Sequence, residues 1–373
     1  MPRIICTVTN DLSYDQRMIR ICTSLARAGY AVTLVGRQRR ASKPLRPEAF
    51  EQKRLWCYFE KGKLFYLEYN LRLLLWLLFQ PFDITCSIDL DTILPGFIVC
   101  RLRGKVCVYD AHEYFTETPE VERRPAVKRA WEWVARFTIP RLRYAYTVGP
   151  ALASIFREKY GVPFAVIRNV PARQGEAPLP TQVSEPIIFY QGALNEGRGL
   201  EYAIEAMQSI DGAQLWLAGE GDLSAQLREQ MQKLGLEHKV KFLGFVLPHE
   251  LQQLTPAATI GLNLLENRGL SYYYSLANKA FDYVQAAVPS IQMAFPEYQA
   301  LNRQYEVFLL LEELSAEAVA AAIRELLDNG ERYKRLQENC RRASEVWNWE
   351  TEEQLLLEFY RKIQSRSSGD HLI

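Results

Sequence analysis

The chain has 373 residues, of which 48% are hydrophobic and 24% charged, and its net charge is +1. This composition excludes an intrinsically disordered chain, and the length predicts two domains because single cores rarely grow so large. Residues 1–171 carry 27 Lys and Arg against 16 Asp and Glu, whereas the remainder carries 18 against 28. The basic first half predicts an anionic partner, either a membrane surface or an acidic acceptor. No nucleic-acid module is recognisable, so we expect no nucleic-acid partner.

The seven cysteines are scattered, with no CxxC pair and no Cys/His cluster. They predict reduced core thiols in a cytosolic protein and exclude a disulfide framework or a cysteine-based metal site. No signal peptide follows Met1, and the most apolar stretch, residues 71–79, is shorter than the roughly 20 residues of a membrane span. We therefore expect a cytoplasmic protein.

The first half alternates between strands and helices. Residues 3–9 and 30–35 predict strands around a helix at 16–28, which is the opening of a parallel doubly wound sheet. The loop that carries Asn10, Asp11 and Asp15 lacks a GxGxxG motif, which argues against a nicotinamide or flavin enzyme. Later elements follow in order: an irregular basic stretch at 38–54, helix 64–79, strand 82–88, helix 94–102, strand 105–109, strand 144–148, helix 151–160 and strand 164–167.

Residues 122–143 contain seven Lys and Arg against two acids, with Trp131, Trp133 and Phe137 interleaved. This pattern suits an interfacial amphipathic helix on an anionic membrane. A helix that packs on the sheet with a solvated basic face explains the same pattern, and the sequence leaves both interpretations open.

Pro-rich residues 172–186 predict a linker between an N-terminal domain at 1–171 and a C-terminal domain at 187–346. The second half repeats the alternation of strands and helices, with strands predicted at 187–190, 213–218, 240–243, 260–264 and 307–311. Residues 347–373 predict a C-terminal helix that packs back on the first domain, with a disordered tail from Ser365. Two Rossmann-like domains predict a ligand cleft between them.

The stretch 269–291 (GLSYYYSLANKAFDYVQAAVPSI) predicts a non-helical tyrosine run followed by a helix that Ser275 caps. Lys279 lies in the first turn of that helix, where a cation opposes the helix dipole by roughly 0.3–1 kcal/mol. An anion bound between Lys279 and the helix N-terminus would remove this conflict. A solvated surface lysine is the alternative.

Several motifs taken together resemble glycosyltransferase family 4, whose members have the GT-B fold. They are residues 190–192 (YQG) with Arg198 and Gly199, 217–221 (LAGEG), 240–244 (VKFLG) and 275–283 (SLANKAFDY), and in the first half 15–17, 89–92 and 109–113. The resemblance covers nearly the whole chain. It implies an α/β protein of two Rossmann-like domains whose parallel sheets face each other across a cleft.

The resemblance also implies site residues. A nucleotide-sugar would bind in the second domain, with Arg198, Asn278 and Lys279 on the diphosphate and Asp282 on the ribose. The other donor-side residues are Gly192, Gly199, Glu220 and Ser275. In the first domain, the resemblance implies that His112, supported by Glu113, contacts the transferring sugar or positions the acceptor, and that Asn10, Asp11 and Asp15 face the cleft.

The chain departs from the family pattern at Tyr274, where the family has a glutamate, and at Ala193, where it often has a basic residue. The resemblance therefore implies no particular base or sugar, and sugar specificity is to be sought in the tyrosine run that ends at Tyr274. Residues 219–224 (GEGDLS) resemble a dinucleotide fingerprint, but the third glycine is Ser224 and no acid follows on the next strand, so we interpret the stretch as a tight turn that lines the nucleotide site. Asp89 and Asp91 form a DxD pair that holds a metal in another glycosyltransferase fold; helix capping by Asp91 is the favoured interpretation. We expect neither a metal nor another cofactor.

The sequence thus predicts a cytoplasmic, peripherally membrane-associated, retaining glycosyltransferase. It would move a sugar from a nucleoside-diphosphate donor to a glycan or lipid-linked acceptor in polysaccharide or glycolipid synthesis. Two alternatives remain: a nucleotide-sugar epimerase of the same architecture, which should gather several acids around a histidine, and a non-catalytic partner protein that keeps the fold.

Overall fold

The computed structural model describes residues 1–13, 15–173 and 185–369, with side chains up to residue 365. The chain divides into two compact units. Unit 1 comprises Met1–Asn169 with Glu352–Ile373, and unit 2 comprises Val170–Thr351. Most of the predicted linker, residues 174–184, lies outside the described residues.

Unit 1 contains a seven-stranded parallel sheet. Its strands are β1 Arg3–Thr7, β2 Ala31–Gln38, β3 Glu51–Trp56, β4 Ile84–Ile88, β5 Val106–Ala111, β6 Tyr144–Thr147 and β7 Phe164–Val166. They lie in the order β3-β2-β1-β4-β5-β6-β7, so Ile4 of β1 lies between Val32 of β2 and Ile84 of β4. The helices are α1 Gln16–Arg27, α2 Gly62–Phe79, α3 Leu90–Arg103, α4 Pro119–Glu122, α5 Pro125–Thr138 and α6 Pro150–Tyr160.

Unit 2 contains a six-stranded parallel sheet in the order β10-β9-β8-β11-β12-β13. Its strands are β8 Ile187–Gln191, β9 Gln214–Ala218, β10 Val240–Gly244, β11 Ile260–Asn263, β12 Ser290–Met293 and β13 Phe308–Leu311. The helices are α7 Leu200–Ala206, α8 Ser224–Lys233, α9 Pro248–Leu254, α10 Gly269–Tyr273, α11 Asn278–Gln285, α12 Pro296–Gln304, α13 Ala316–Asp328 and α14 Gly330–Ser344; α15 Trp349–Gly369 follows.

Each sheet has one point at which the direction of strand addition reverses. In unit 1 it lies between β1 and β4, and in unit 2 between β8 and β11. The loops at the carboxyl ends of these strands diverge, and open α/β sheets bind ligands at such points. Asn10 follows β1 and Gly192 follows β8, so these two predicted site residues lie at the switch points; Asp89 of the DxD pair follows β4.

The last helix packs on unit 1. Tyr360 of α15 lies 6.1 Å from Tyr30, and Phe359 lies 5.3 Å from Tyr146, measured between ring centroids. The buried Glu352 carboxylate accepts from the backbone N–H of Arg168 at 2.8 Å and pairs with its guanidinium at 3.2 Å. The helix continues to Gly369, so the disorder predicted from Ser365 is wrong for residues 365–369, and residues 370–373 lie outside the described part.

Other elements also differ from the prediction. Strand β3 lies in the basic stretch that was predicted to be irregular. It is an edge strand of mostly exposed or half-buried residues (EQKRLW), so it lacks the apolar run that identifies inner parallel strands. Helix α3 begins at Leu90 instead of residue 94, because Asp89, at φ 55°, turns the chain into the helix directly after β4. Helix α12 was not predicted, although Pro296 at its first turn is a recognised start signal.

The seven cysteines are all buried and free, as the sequence predicted. None of the described helices is both long and apolar enough to cross a membrane.

Candidate functional site

The loops that follow β8 and β9 in unit 2 touch each other through their backbones. The N–H of Gly192 donates to the carbonyl of Ala218 at 2.9 Å. Gly219 has φ 153°, and a Cβ atom there would lie 1.9 Å from the carbonyl oxygen of Gly192. Only glycine fits at this position. The Gly219–Asp222 segment is therefore a tight turn beside the predicted donor loop, as expected.

Lys279 lies against the same glycine loop. Its Nζ atom lies 3.7 Å from the centroid of the Tyr190 ring and 3.3 Å from the place that a Cβ atom on Gly192 would occupy. Burial, with the Arg198 guanidinium nearby, holds the pKa of Lys279 well below its usual range. Its charge is therefore unfavourable in the absence of an anion.

Arg198 is the second cation of this site. Its guanidinium lies 5.0 Å from the centroid of the Tyr272 ring, and its Nε atom is buried without a hydrogen-bond partner among the described residues. Within the same part of the chain, no carboxylate forms an ion pair with Arg198 or Lys279. Gly199, at φ 66°, follows directly, and a Cβ atom there would lie 2.3 Å from the carbonyl oxygen of Leu264. The loop is thus fixed against β11.

The N-terminus of α11 opens toward these cations. The predicted N-cap at Ser275 is wrong: the helix begins at Asn278, and Ala277 precedes it without any side-chain cap. The Ser275 hydroxyl instead donates to the carbonyl of Tyr272 at 2.8 Å, at the end of α10. The Ala280 N–H of the first turn donates to the Ala277 carbonyl at 3.1 Å. The amides of Asn278 and Lys279 are therefore the first-turn donors that can bind an anion.

Asn278 and Asp282 lie one turn apart on α11, and Asn278 is exposed. An Asp282 oxygen accepts from the side-chain amide of Gln191 at 2.7 Å, and the Gln191 carbonyl accepts from the Thr255 hydroxyl at 2.9 Å. Gln191 thus fixes the Asp282 carboxylate at the carboxyl end of β8. This positioning residue could not be predicted from the sequence, because its partners are 64 and 91 positions away.

Glu220 and Tyr274 have more peripheral positions. The exposed Glu220 carboxylate pairs with Arg228 at 2.6 Å, which lowers the pKa of Glu220, while its backbone carbonyl accepts from Leu194 at 3.3 Å. The tyrosine run is partly helical, as α10, so the prediction of a non-helical run is wrong for its first residues. Tyr274 ends this helix and packs edge-on against Tyr273 at 4.9 Å. Another tyrosine of the run, Tyr272, lies beneath the Arg198 guanidinium.

In unit 1, His112 lies between two carboxylates at the carboxyl end of β5. Its Nδ1 atom lies 3.4 Å from Asp89 and its Nε2 atom 3.4 Å from Asp110, while its backbone N–H donates to Asp89 at 2.9 Å. Burial lowers the pKa of an imidazole, but Asp110 and Asp89 outweigh burial and raise the pKa of His112 to about 9. The side chain is therefore an imidazolium at neutral pH, a hydrogen-bond donor and not a base.

The Asp110 carboxylate is fully buried and forms an ion pair with the Arg17 guanidinium of α1, with 2.8 Å between nitrogen and oxygen. Burial favours the neutral acid, but Arg17 and His112 hold the pKa of Asp110 below its usual range. Sequence analysis noted Asp110 and Arg17 only as parts of motifs. The pair links α1 to β5, which anchors the loop that carries His112.

Asp91 does not cap a helix, so the capping interpretation is wrong. It lies within the first turn of α3, buried, and accepts from the Thr9 hydroxyl at 2.6 Å. Burial and the neighbouring Asp89 raise the pKa of Asp91 to about 7. Among the described residues, no group of three His, Cys, Asp or Glu side chains is placed to hold a metal ion. Glu113 follows His112 and is exposed at the edge of this acidic cluster.

The predicted acceptor-side residues after β1 mostly form hydrogen bonds that stabilise the loop to which they belong. The Asn10 side chain accepts from Leu12 N–H at 2.9 Å and donates to Asp15 at 2.6 Å, and Asp15 caps α1 by accepting from Met18 N–H at 3.0 Å. Asp11 accepts from Ser13 N–H at 3.2 Å and from the Ser42 hydroxyl. These three side chains shape the carboxyl edge of β1.

The 122–143 segment forms the end of α4, all of α5 and a short turn after it. Trp131 turns inward, 5.5 Å from Tyr66 and 5.3 Å from Phe115 between ring centroids. Trp133 is 60% exposed and stacks on Phe137 at 5.4 Å. The segment therefore packs on unit 1 and also presents an aromatic outer face.

Two family models match this chain. The model described as Glycosyltransferase Family 4 matches residues 16–171, and the model described as Glycosyl transferases group 1 matches residues 175–343. The chain belongs to the family-4 glycosyltransferases of GT-B fold. The resemblance that the motifs carried, and the α/β fold that it implied, are thereby confirmed.

Individual relatives are more distant. An uncharacterised glycosyltransferase of Methanocaldococcus jannaschii is 39% identical over 82 residues, which are 21% of this chain and 21% of that protein. Sucrose-phosphate synthase from Thermosynechococcus elongatus has a TM-score of 0.81 at 18% identity, covering 98% of this chain and 100% of its own. Anabaena HepE, solved in complex with UDP and glucose, has a TM-score of 0.77 at 14% identity, covering 99% and 100%. At these identities the two solved structures show a common fold.

Proposed function

We propose that this family-4 glycosyltransferase transfers a sugar from a nucleoside-diphosphate donor to a glycan or lipid-linked acceptor, with retention of anomeric configuration. The observation that carries the proposal is the pairing of Lys279 and Arg198. The two cations lie near each other and near a helix N-terminus without a side-chain cap, and in the described part of the chain neither forms an ion pair with a carboxylate. The charge of Asp282 offsets the effect of burial and of Arg198 on the pKa of Lys279 only in part. A diphosphate supplies the missing negative charge, and the UDP bound by Anabaena HepE has the same chemistry.

The chemistry follows from where charge develops. When the bond between the anomeric carbon and the phosphate oxygen breaks, its electron pair stays on the departing diphosphate, and the acceptor oxygen replaces it on the sugar. The acceptor hydroxyl passes its proton to an oxygen of the departing diphosphate. Fixed cations and amides beside the diphosphate stabilise the transition state more than the ground state. Losing one such contact costs about 1.5–3 kcal/mol.

In this proposal Asp282 binds the ribose hydroxyls and Asn278 binds next to the diphosphate. Gln191 supports the role of Asp282, because it holds one oxygen of the carboxylate in place.

His112 donates a hydrogen bond to the transferred sugar or the acceptor, in keeping with its raised pKa. No metal takes part in the proposed reaction, since Asp89 and Asp91 are engaged by His112 and Thr9.

We also propose that the enzyme works at the inner membrane face, in polysaccharide or glycolipid synthesis. Helix α2 supports this, because large apolar side chains recur on its solvent side, with Leu67 68% and Phe79 82% exposed. Leu64, Leu71 and Leu75 complete this stripe. Isolated exposed leucines are common, but four leucines and a phenylalanine at helical spacing on one helix form an apolar surface that is unfavourable in water.

Helices α2, α3 and α5 lie side by side, because Tyr66 of α2 packs on Trp131 of α5 and Phe97 of α3 packs on Phe137. The outer face of α5 adds Trp133 and the exposed Arg129 and Arg136 to the leucine stripe. Apolar side chains with flanking arginines match an anionic lipid surface. The proposed membrane face therefore includes α2, which the sequence did not single out, as well as the 122–143 segment.

One observation favours the epimerase alternative. Asp89, Asp110 and Asp91 gather close to His112, with Glu113 next to it in the chain. Incubating the protein with nucleotide-sugars in the presence and absence of a lipid-linked glycan separates the two functions. Transfer predicts a product that contains the acceptor. A sugar epimer formed without acceptor would contradict the transferase and support the alternative.

A further inference from the structure

A second set of cations lies in unit 1, at the carboxyl ends of β1 and β2. A pocket of about 380 Å³ opens there, lined by Thr9, Asn10, Arg37, Arg39, Lys61 and Tyr66, among others. Three of these side chains are cations: Arg37 and Arg39 lie at the end of β2, and Lys61 precedes α2. None of them belongs to the His112 cluster or to the donor site in unit 2.

Arg37 forms the floor of this pocket. The side chain is only 8% exposed, and its guanidinium lies 4.1 Å from the centroid of the Phe65 ring. One terminal nitrogen donates to the carbonyl of Glu60 at 2.9 Å, whereas the Nε atom is buried and has no hydrogen-bond partner among the described residues. Burial, and the like charge of Arg39, lower the pKa of Arg37. The pocket thus contains a buried cation, and an anion bound there would stabilise its charge.

The N-terminus of α2 lines the same pocket. Lys61 precedes this 18-residue helix, no side chain caps it, and Gly62 begins it at the pocket wall. The first-turn amides and the positive end of the helix dipole add to the three cations. The one acid of the lining, Glu60, accepts from the N–H of Arg40 at 3.2 Å, so its carboxylate is held by the loop that follows β2. The lining keeps a net positive charge.

We propose that this pocket binds a phosphate group carried by the glycosyl acceptor. Donors that converge from a buried arginine, two exposed cations and a helix N-terminus suit a tetrahedral, multiply charged oxyanion better than a planar carboxylate, which one arginine can bind alone. The assignment of this phosphate to the glycosyl acceptor rests on the proposed transferase function. The anion site itself rests only on the pocket. It predicts an acceptor that is a phosphorylated sugar or a lipid phosphate.

The test measures phosphate binding to the full-length protein by calorimetry at constant ionic strength. Lys279→Ala serves as the parent, so that the donor site does not compete for the anion. The probes are inorganic phosphate, a hexose 6-phosphate and decyl phosphate below its micelle concentration. We expect at least one probe to bind the parent and Arg39→Ala/Lys61→Ala to weaken that binding at least tenfold. Tighter binding of the hexose phosphate indicates a soluble acceptor, and tighter binding of decyl phosphate indicates a lipid-linked one.

The matched control removes two exposed arginines of unit 1 that do not line the pocket, Arg27→Ala/Arg157→Ala, and should bind like the parent. Arg37→Met should also weaken binding at least tenfold; its thermal melting is recorded because Arg37 supports Glu60. Binding that is absent in the parent, or equal in the parent and the Arg39→Ala/Lys61→Ala variant, overturns the site. UDP binding to the wild type is measured separately. Absence of UDP binding would count against the transferase function, whereas absence of phosphate binding to the parent would count against the pocket.

Discussion

The Nζ atom of Lys279 lies 3.7 Å from the centroid of the Tyr190 ring, so the cation rests on an aromatic face at the N-terminus of α11. A cation at this end of a helix opposes the helix dipole, and Arg198 adds to the repulsion. The aromatic contact compensates only in part. The protein therefore keeps an unfavourable charge that a bound anion would make favourable.

The first prediction concerns stability without nucleotide. Lys279→Met removes the charge but keeps a side chain that packs on the Tyr190 ring. We expect the free energy of unfolding to rise by about 0.3–1 kcal/mol, the size of a dipole conflict at a helix end. Urea denaturation in phosphate-free buffer measures it. A variant less stable than the wild type would mean that Lys279 is a structural residue.

A second prediction concerns Gly219. Gly219→Ala adds a Cβ atom 1.9 Å from the carbonyl of Gly192, so the two loops must move apart. We expect the free energy of unfolding to fall by about 3 kcal/mol or more, from strain and overpacking together. Gly212→Ala is the matched control, because Gly212 also has a positive φ, 65°, but has no atom within 4 Å of its Cβ position. It should cost about 1–2 kcal/mol; equal losses at the two sites would contradict the backbone contact.

The third prediction is a pH dependence. The folded protein raises the pKa of His112 from its usual 6.5 to about 9, so the imidazolium stabilises the folded state. This contribution is complete below pH 6.5 and is lost as the pH rises through 9. Each pKa unit corresponds to 1.36 kcal/mol, and because the side chain is partly exposed we expect about 1–3 kcal/mol in total.

The measurement for His112 compares urea denaturation of the wild type and His112→Gln at steps between pH 6 and pH 9.5. The difference in unfolding free energy between the two proteins should shrink across that range. Groups away from His112 cancel in the difference. Asp91 and Glu113, whose pKa values of about 7 and about 8 are lowered by the charge of His112, do not cancel, so the comparison is repeated with Asp91→Asn/Glu113→Gln in both proteins. A constant difference would show that His112 is not charged between Asp89 and Asp110.

The fourth prediction concerns the membrane face. Leu67→Ser/Leu71→Ser should reduce partitioning onto vesicles of phosphatidylglycerol and phosphatidylcholine at least about tenfold, because burying one leucine is worth about 1.5–3 kcal/mol. Arg129→Ala/Arg136→Ala should weaken binding and reduce its dependence on salt. Sedimentation with vesicles measures both effects.

The matched control for the membrane face is Leu355→Ser, which changes an exposed leucine of α15, a helix outside that face. It should partition like the wild type. If Leu67→Ser/Leu71→Ser and Leu355→Ser partition equally onto vesicles, the stripe on α2 is not a lipid contact. A concentration-dependent dimer of the wild type that Leu67→Ser/Leu71→Ser abolishes would assign the stripe to a second copy of the chain.

Much of the fold was predictable because inner parallel strands are short apolar runs, and helices alternate with them. β3 was missed because an edge strand buries little and its sequence is polar. Ser275 was assigned as a cap from local sequence, but its hydroxyl is taken by the carbonyl of Tyr272 at the end of the preceding helix. Local sequence patterns thus predict where helices and strands occur better than they predict which helix end a polar side chain hydrogen-bonds.

The site was predictable only in part. Lys279 stood out because its charge conflicts with the helix dipole, which is visible in the sequence. The rings beneath the two cations, Tyr190 and Tyr272, were not identified as partners, since these contacts form between segments that folding brings together. The same holds for Arg17 and Asp110, which are 93 residues apart. Such pairs depend on the three-dimensional packing and leave no spacing signal.

The most direct test of the proposed function is calorimetric titration of the full-length protein with UDP, GDP and ADP. We predict that at least one nucleoside diphosphate binds the wild type and that Lys279→Ala weakens this binding by about 1.5–3 kcal/mol, or roughly ten- to 150-fold. Lys241→Ala, which removes another lysine from an aromatic ring of the same unit, should bind like the wild type. Absence of binding by all three nucleotides, or equal binding by Lys279→Ala and the wild type, would contradict the proposed donor site.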